Sequence, residues 1–287
     1  MMKIGLLASG NLGFEMVQKL SQQHTLQFIA TDKHSTNIIA LANKLEIRLF
    51  VGNPRKGKLA DFLKADILDL LFSINYLFLI ERDIIEKAKY PINFHGSLLP
   101  KYRGRTPHVW AIINNEKETG VTAHIIDDGC DTGAVILQEK ILIEPNDSGF
   151  SLLQKYSVIY QKMLHQVIEL VKTNSLKPIP QIHQLASYFD KRTPDDGLIN
   201  WDWQRERIRN WVRAQTNPYP GAFTHVRGHK IIIDWVEFDS FGFNCKDPNG
   251  LVLSLNPLRV KTQNGVIRIE KIRSGGEHIE NSIILGK

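Results

Sequence analysis

Apolar residues recur along the first 95 positions in two alternating textures. Short runs at residues 3–8, 26–31, 48–51, 67–74 and 91–95 read as strands. Segments between them carry apolar residues at helical spacing. After Gly10 these are Leu12, Met16, Val17 and Leu20, and over 37–45 they are Ile38, Ile39, Leu41, Ala42 and Leu45. Shorter helices are predicted over 59–65 and 84–88. The 67–74 run is almost wholly apolar, as a strand covered on both faces of a parallel sheet must be. Strand and helix alternating at this spacing predict an α/β domain with a doubly wound, Rossmann-like, mainly parallel sheet.

Residues 121–126 and 134–143 read as further strands. A long helix is predicted over 149–172, capped by Asp147 or Ser148, with an apolar face that includes Phe150, Leu153, Tyr156 and Val167. Lys177-Pro178-Ile179-Pro180 then breaks the pattern. A helix follows over 203–215. Beyond Pro218 come short β-rich runs at 231–238, 251–255 and 266–272, separated by turn pairs such as Asn249-Gly250 and Asn264-Gly265. The predicted division is a catalytic α/β domain over 1–176, a linker over 177–202, and a small β-rich, barrel-like domain over 203–287.

Composition narrows the classes. The chain has 287 residues, of which 43% are hydrophobic and 23% charged, so disorder and collagen-like structure are excluded. The net charge of +6 divides into 20 − 18 = +2 before residue 177 and 16 − 12 = +4 after it. Neither part is basic enough to demand nucleic acid, though either can hold an anionic ligand. Two cysteines, Cys130 and Cys245, make neither a disulfide framework nor a cysteine-rich zinc site. The N-terminal apolar run is short and meets turn residues at once, so it reads as a first strand rather than a leader. With no long apolar segment, a cytoplasmic protein without membrane association is expected.

Three segments carry candidate chemistry. In Ser9-Gly10-Asn11-Leu12-Gly13, glycines precede a helix N-terminus, which suits an anion. Asp32 ends the second strand where a ribose-binding acid would stand, but the full dinucleotide fingerprint is missing, and a tight strand-to-helix turn is the simpler reading. In Asn93-Phe94-His95-Gly96-Ser97-Leu98-Leu99-Pro100, Asn93 and His95 share one face of a strand, an amide beside an imidazole at a carboxyl end. Arg103-Gly104-Arg105 adds two guanidiniums suited to phosphate or carboxylate. In Asp127-Asp128-Gly129-Cys130-Asp131-Thr132-Gly133, two glycines bracket Asp131 in a tight loop. A calcium loop fails there on length and on the missing bidentate glutamate. Cys130 has no base beside it in sequence and reads as an inert small residue.

Taken in order, residues 93–100, Arg103-Gly104-Arg105-Thr106-Pro107, Glu118-Thr119-Gly120-Val121-Thr122 and Asp131-Thr132-Gly133 resemble the 10-formyltetrahydrofolate-dependent formyltransferases. Arg192-Thr193-Pro194-Asp195-Asp196-Gly197, Arg213-Ala214 and Tyr219-Pro220-Gly221-Ala222-Phe223 continue the likeness to about residue 235. The resemblance implies a catalytic set of Asn93, His95 and Asp131. Asn93 would donate to the oxyanion that forms as an amine attacks the formyl carbon. His95 would help protonate the leaving nitrogen, and Asp131 would orient His95 and take the amine proton. It implies 10-formyltetrahydrofolate as co-substrate, with contacts at Phe78, Leu79, Ser97, Leu98, Leu99, Asp127 and Asp128. Acceptor contacts are implied at Ser9, Gly10, Asn11, Tyr76, Arg103, Gly104 and Arg105. No metal is implied.

The acceptor divides the family. A methionyl-tRNA formyltransferase carries a long basic insertion after its second strand. Here residues 26–31 run into Asp32-Lys33-His34-Ser35-Thr36-Asn37 and a helix begins at once. Residues 72–80 and 95–105 are instead similar to the nucleotide-sugar branch. The expectation is formyl transfer to the amine of a UDP- or dTDP-linked 4-amino-4-deoxy or 4-amino-4,6-dideoxy sugar, for bacterial surface glycan biosynthesis. Methionyl-tRNA is the alternative acceptor. The expected partners are small molecules, nucleotide sugar and folate, with no nucleic acid, and a homodimer is left open.

Overall fold

A computed structural model describes residues 2–286. The chain forms two compact units. The first takes in residues up to Gly104, Gly120–Ile141 and Lys155–Tyr188. The second takes in Arg105–Thr119, Leu142–Gln154 and the chain from Phe189 onward.

The first unit is built on a seven-stranded sheet. Its strands are β1 (Ile4–Ala8), β2 (Leu26–Thr31), β3 (Leu49–Val51), β4 (Leu68–Ile74), β5 (Ala88–His95), β7 (Glu118–Ile125) and β8 (Val135–Leu142). The strand labelled β6 (Arg103–Gly104) lies outside that sheet and pairs with β9 (Tyr188–Phe189). The order is β3-β2-β1-β4-β5-β7-β8. Strands β1 to β5 are mutually parallel, and β7 runs antiparallel to β5. The mainly parallel, Rossmann-like reading therefore holds, with one antiparallel strand. Every residue of β1 is buried and six of the seven in β4, as strands covered on both faces require. Helix α1 (Gly10–Gln23) buries Leu12, Met16, Val17 and Leu20 along one stripe. Leu7, Phe28, Ala30, Leu59, Leu63, Leu71 and Ile84 form a core cluster. Helices α2 (Thr36–Lys44), α3 (Lys58–Leu63) and α4 (Arg82–Ile85) stand within three residues of their predicted ends.

Strand order reverses between β1 and β4, where the chain crosses from one side of the sheet to the other. Strand β5 lies beside β4. The long α6 (Gly149–Lys172) supports β5: Tyr160 donates to the Phe94 carbonyl at 3.1 Å and its ring lies 5.8 Å from Phe94's.

The second unit contains α5 (Pro107–Ile113), α7 (Arg205–Ala214) and a five-stranded antiparallel sheet. That sheet's strands are β10 (Ala222–Val226), β11 (His229–Asp239), β12 (Val252–Leu255), β13 (Leu258–Thr262) and β14 (Gly265–Ser274). Their order is β10-β11-β14-β13-β12. The β-rich C-terminal reading is met, and β10, β13 and α5 are additions to it. The hydrophobic pattern of five- to seven-residue elements is too short to mark them alone. Arg192 lies between the rings of Trp110 and Trp211, its carbon 5.0 and 4.5 Å from their centroids, and joins α5 to α7. Among the described residues no helix is long and apolar enough to cross a membrane.

Candidate active site

The register of β5 against β7 sets the site. Asn93 stands opposite His124, and His95 opposite Thr122. Residues two apart share a face, so Asn93, His95 and His124 project from one side of the sheet. The loop between β7 and β8 then brings Asp131 onto them. Asp131 has φ +55°, left-handed backbone that aims its carboxylate back toward β5. Gly133 is required there because a Cβ would fall 1.9 Å from the Ile125 carbonyl oxygen. Asp127 closes the loop by accepting from Gly129 N at 3.1 Å and Thr132 Oγ1 at 2.6 Å. Gln181 anchors it from outside, donating to the carbonyls of Asp131 at 2.9 Å and Gly133 at 2.7 Å.

Asn93, His95 and Asp131 converge. Asn93 Nδ2 donates to Asp131 Oδ1 at 3.3 Å, and His95 Nδ1 lies 3.5 Å from Asp131 Oδ2. Gly104 N–H donates to Asp131 Oδ2 at 2.9 Å. His95 Nε2 lies 2.7 Å from the carbonyl oxygen of Tyr102. The side chains of Asp131 and His95 are only 13% and 7% exposed. Burial alone would raise the Asp131 carboxyl. The neighbouring His95, then the nearby His124 ring and the Gly104 amide, outweigh it and hold the group far below the usual carboxylate range. The site thus holds a fixed carboxylate, an imidazole against it and a carboxamide beside both. That combination can accept a proton from an attacking amine, return one to a leaving nitrogen and hydrogen-bond a developing negative charge.

The residues expected at the folate and the acceptor take varied places. Leu79 is exposed and Phe78 half-buried, its ring edge-on to Tyr76 at 5.4 Å. Ser97 Oγ donates to Lys101 O, and Thr122 Oγ1 donates to Ser97 O, both at 2.6 Å. Leu98 lies against the chain at Gly120, and the Leu99 carbonyl accepts from Gln138 at 2.7 Å. Asp127 and Asp128 are exposed, with Arg82 3.6 Å from Asp128. The Ser9 carbonyl accepts from Asn75 at 2.9 Å, Gly10 N donates to Ser35 Oγ at 2.9 Å, and Asn11 is exposed near Asn37. The hydroxyl of Tyr76 is buried, and burial together with the charge of Asp32 drives it above its ordinary ionisation range.

Arg103 differs from expectation. It is 1% exposed, and its guanidinium donates to Gln181 Oε1 and Tyr188 Oη, both at 2.6 Å, with His183 Nδ1 at 3.1 Å. Its chain neighbours Tyr102 and Gly104, both at positive φ, turn it inward, so the group clamps residues 181–188 instead of meeting a phosphate at the surface. Arg105, in the second unit, is exposed, and its N–H donates to the Phe189 carbonyl at 2.9 Å. Cys130 is exposed, with Sγ 3.6 Å from Asp131 Oδ2. Among the described residues no group of three His, Cys, Asp or Glu side chains has the geometry to hold a metal ion.

Two site residues escape sequence reasoning. His124 Nε2 lies 3.1 Å from Asn93 Nδ2, and Gln181 holds the Asp131 loop. His124 has a weak signal, two places after Thr122 on the same strand face. Gln181 has none, because its contacts lie some fifty positions away.

Residues 9–168 match the Formyl transferase family, and residues 191–282 match the Formyl transferase C-terminal domain. The bifunctional polymyxin resistance protein ArnA of Wigglesworthia glossinidia brevipalpis is 34% identical over 275 residues, 93% of this chain. The chain spans only 40% of that relative's length. Among solved structures, WlaRD, a sugar 3N-formyl transferase crystallised with dTDP and 5-N-formyl-THF, is similar with TM-score 0.72 and 21% identity. That match covers 96% of this chain and 99% of that one. A 4-N formyltransferase from Francisella tularensis is similar with TM-score 0.68 and 21% identity, over 81% of this chain and 96% of its own.

Proposed function

Because the chain belongs to the formyl transferase family, we propose that it moves a formyl group from 10-formyltetrahydrofolate to the amine of a nucleotide-linked 4-amino sugar. The observation that carries this reading is the convergence of Asn93, His95 and Asp131 within the segment that matches the family. The co-substrate supplies a formyl group already activated on nitrogen. Asp131, held ionised, receives the proton of the attacking amine, directly or through one water. His95 stands against that carboxylate and returns a proton to the leaving nitrogen. The Asn93 amide turns a hydrogen toward the formyl oxygen as charge builds there.

The exposed apolar edge at Leu77 and Leu79 suits a flat heteroaromatic ring, and the surface carboxylates of Asp127 and Asp128 suit its N–H groups. Ser9, Gly10, Asn11 and Tyr76 line the strand ends assigned to the acceptor. The compact passage from β2 to α2, only four residues between Thr31 and Thr36, leaves no basic insertion to grip tRNA and supports a small acceptor. The similar solved structures, a sugar 3N-formyl transferase and a 4-N formyltransferase, support an amino sugar. The same reading places the enzyme in the cytoplasm, supplying a formylated sugar nucleotide for surface glycan assembly.

The test is formyl transfer from 10-formyltetrahydrofolate to UDP- and dTDP-linked 3-amino and 4-amino sugars, with methionyl-tRNA in parallel. Turnover with a 4-amino sugar nucleotide is expected. Transfer to the tRNA with none to any sugar overturns the reading, and transfer confined to 3-amino sugars corrects its position.

A further inference from the structure

The two imidazoles of the site face different kinds of partner. His124 is 3% exposed. Its Nδ1 lies 2.8 Å from the Ile125 carbonyl oxygen, which can only accept, so Nδ1 carries a hydrogen. Its Nε2 lies 3.1 Å from Asn93 Nδ2, which can only donate, so Nε2 presents a lone pair. The two contacts fix one state: a neutral ring protonated on Nδ1. The separation of 3.6 Å between Nε2 and Asp131 Oδ1 agrees, being too long for a hydrogen bond. Around His95 both ring nitrogens face acceptors, the Tyr102 carbonyl and the Asp131 carboxylate. The 2.7 Å contact calls for a hydrogen on His95 Nε2, while Nδ1, at 3.5 Å, stands near the carboxylate without a hydrogen bond to it.

We infer that His124 is a positioning residue for formyl transfer, an uncharged acceptor that fixes the Asn93 carboxamide and leaves the site's one transferable imidazole proton on His95. This rests on the function proposed above. Asn93 Nδ2 carries two hydrogens. One points to His124 at 3.1 Å and the other to Asp131 at 3.3 Å. The longer bond is the one that yields when a formyl oxygen arrives, while His124 keeps the amide plane from turning. A second proton on His124 would set donor against donor at Asn93. The ring would then turn to Asp131 and compete with His95 for one carboxylate.

The experiment has a spectroscopic arm and a kinetic arm. In the intact protein, long-range proton–nitrogen correlation of the histidine rings should show His124 unprotonated at Nε2 and protonated at Nδ1. A protonated Nε2 overturns the proposal. In the kinetic arm, His124→Phe should lower kcat by about tenfold to a hundredfold while KM for both substrates stays within about threefold. His124→Gln, which restores an acceptor, should recover at least about threefold of that loss. In an Asn93→Ala background the Phe substitution should cost less than about threefold, because nothing is left to position. Equal losses in both backgrounds, a raised KM at unchanged kcat, or no recovery with Gln overturn the proposal. If His124→Phe does not fold, the Gln variant with and without Asn93→Ala decides. A wild-type protein that transfers formyl to no acceptor defeats the functional reading alone, and the ring spectrum still decides the state of His124.

Discussion

Two aspartates of the first unit make an instructive pair. Asp32 follows the last residue of β2 and is 3% exposed. Its carboxylate accepts from Ser35 Oγ at 2.6 Å and His34 N at 2.8 Å, neighbours two and three places along the chain. Asp131 is held by Asn93, His95 and Gly104, all at least 27 positions away in sequence. Local partners make Asp32 a cap for the turn into α2. Distant partners make Asp131 a point where separate segments meet, with titratable and amide groups that can exchange one hydrogen bond for another. Here the acid with chain-neighbour donors shapes a turn, and the acid met by groups from other segments is the one we propose for the chemistry.

The sharpest way to break that distinction is to neutralise each acid in turn. Asp131→Asn should lower turnover by about a thousandfold, and Asn93→Ala by about a hundredfold, with little change in folate affinity. The double variant of His95 and Asp131 to alanine should lose less than the product of the single losses, since the two act as a unit. Near-normal turnover in any of these, measured by single-turnover formyl transfer, removes Asp131 from the chemistry.

Gln181→Leu probes how far the distant support reaches. It frees the carbonyls of Asp131 and Gly133 and leaves Arg103 without its amide acceptor. Turnover should fall by about tenfold and denaturant stability by about 2 kcal/mol. A stability loss at unchanged kcat would show that the loop keeps its position without this anchor.

Asp32→Asn should do the reverse, keeping turnover within about threefold while lowering stability by about 1 kcal/mol. Burial alone would raise the Asp32 carboxyl, but Ser35 first, then Ser9 and the His34 N–H, more than offset this and lower it. A carboxyl lowered by folding stabilises the protein above its unfolded value near pH 4, and that contribution disappears as pH falls through the folded value. The acid side of the melting-temperature profile should therefore be shallower in Asp32→Asn than in the wild type. An unchanged acid limb would mean that Asp32 adds nothing to the fold.

The same contrast explains what the chain revealed on inspection. Alternating apolar runs disclosed the strand and helix order because the central parallel strands, β1 and β4, are covered on two faces. Asn93 and His95 were legible because their pairing lies within one strand. Asp131 was legible as an acid between two glycines, and its partners came through the family likeness. His124 was not, since its role depends on β7 running antiparallel to β5 and on the register that sets it opposite Asn93. Arg103 looked like an anion receptor because nothing local shows that Tyr102 and Gly104 turn it inward. Helix α5 was hidden by its length, seven residues that open on a proline.

The anchoring of the Asp131 loop by Gln181 bears on where this protein can be cut. A fragment ending at Leu176 would keep the whole seven-stranded sheet, every residue of the proposed catalytic set and the full segment matching the N-terminal family. It would lose Gln181, His183 and Tyr188, and with them the amide that fixes the loop and all three side chains around the Arg103 guanidinium. A truncation drawn at the end of α6 would retain the reacting groups and release the frame that aims one of them. A fragment that keeps these partners ends at Tyr188 or beyond.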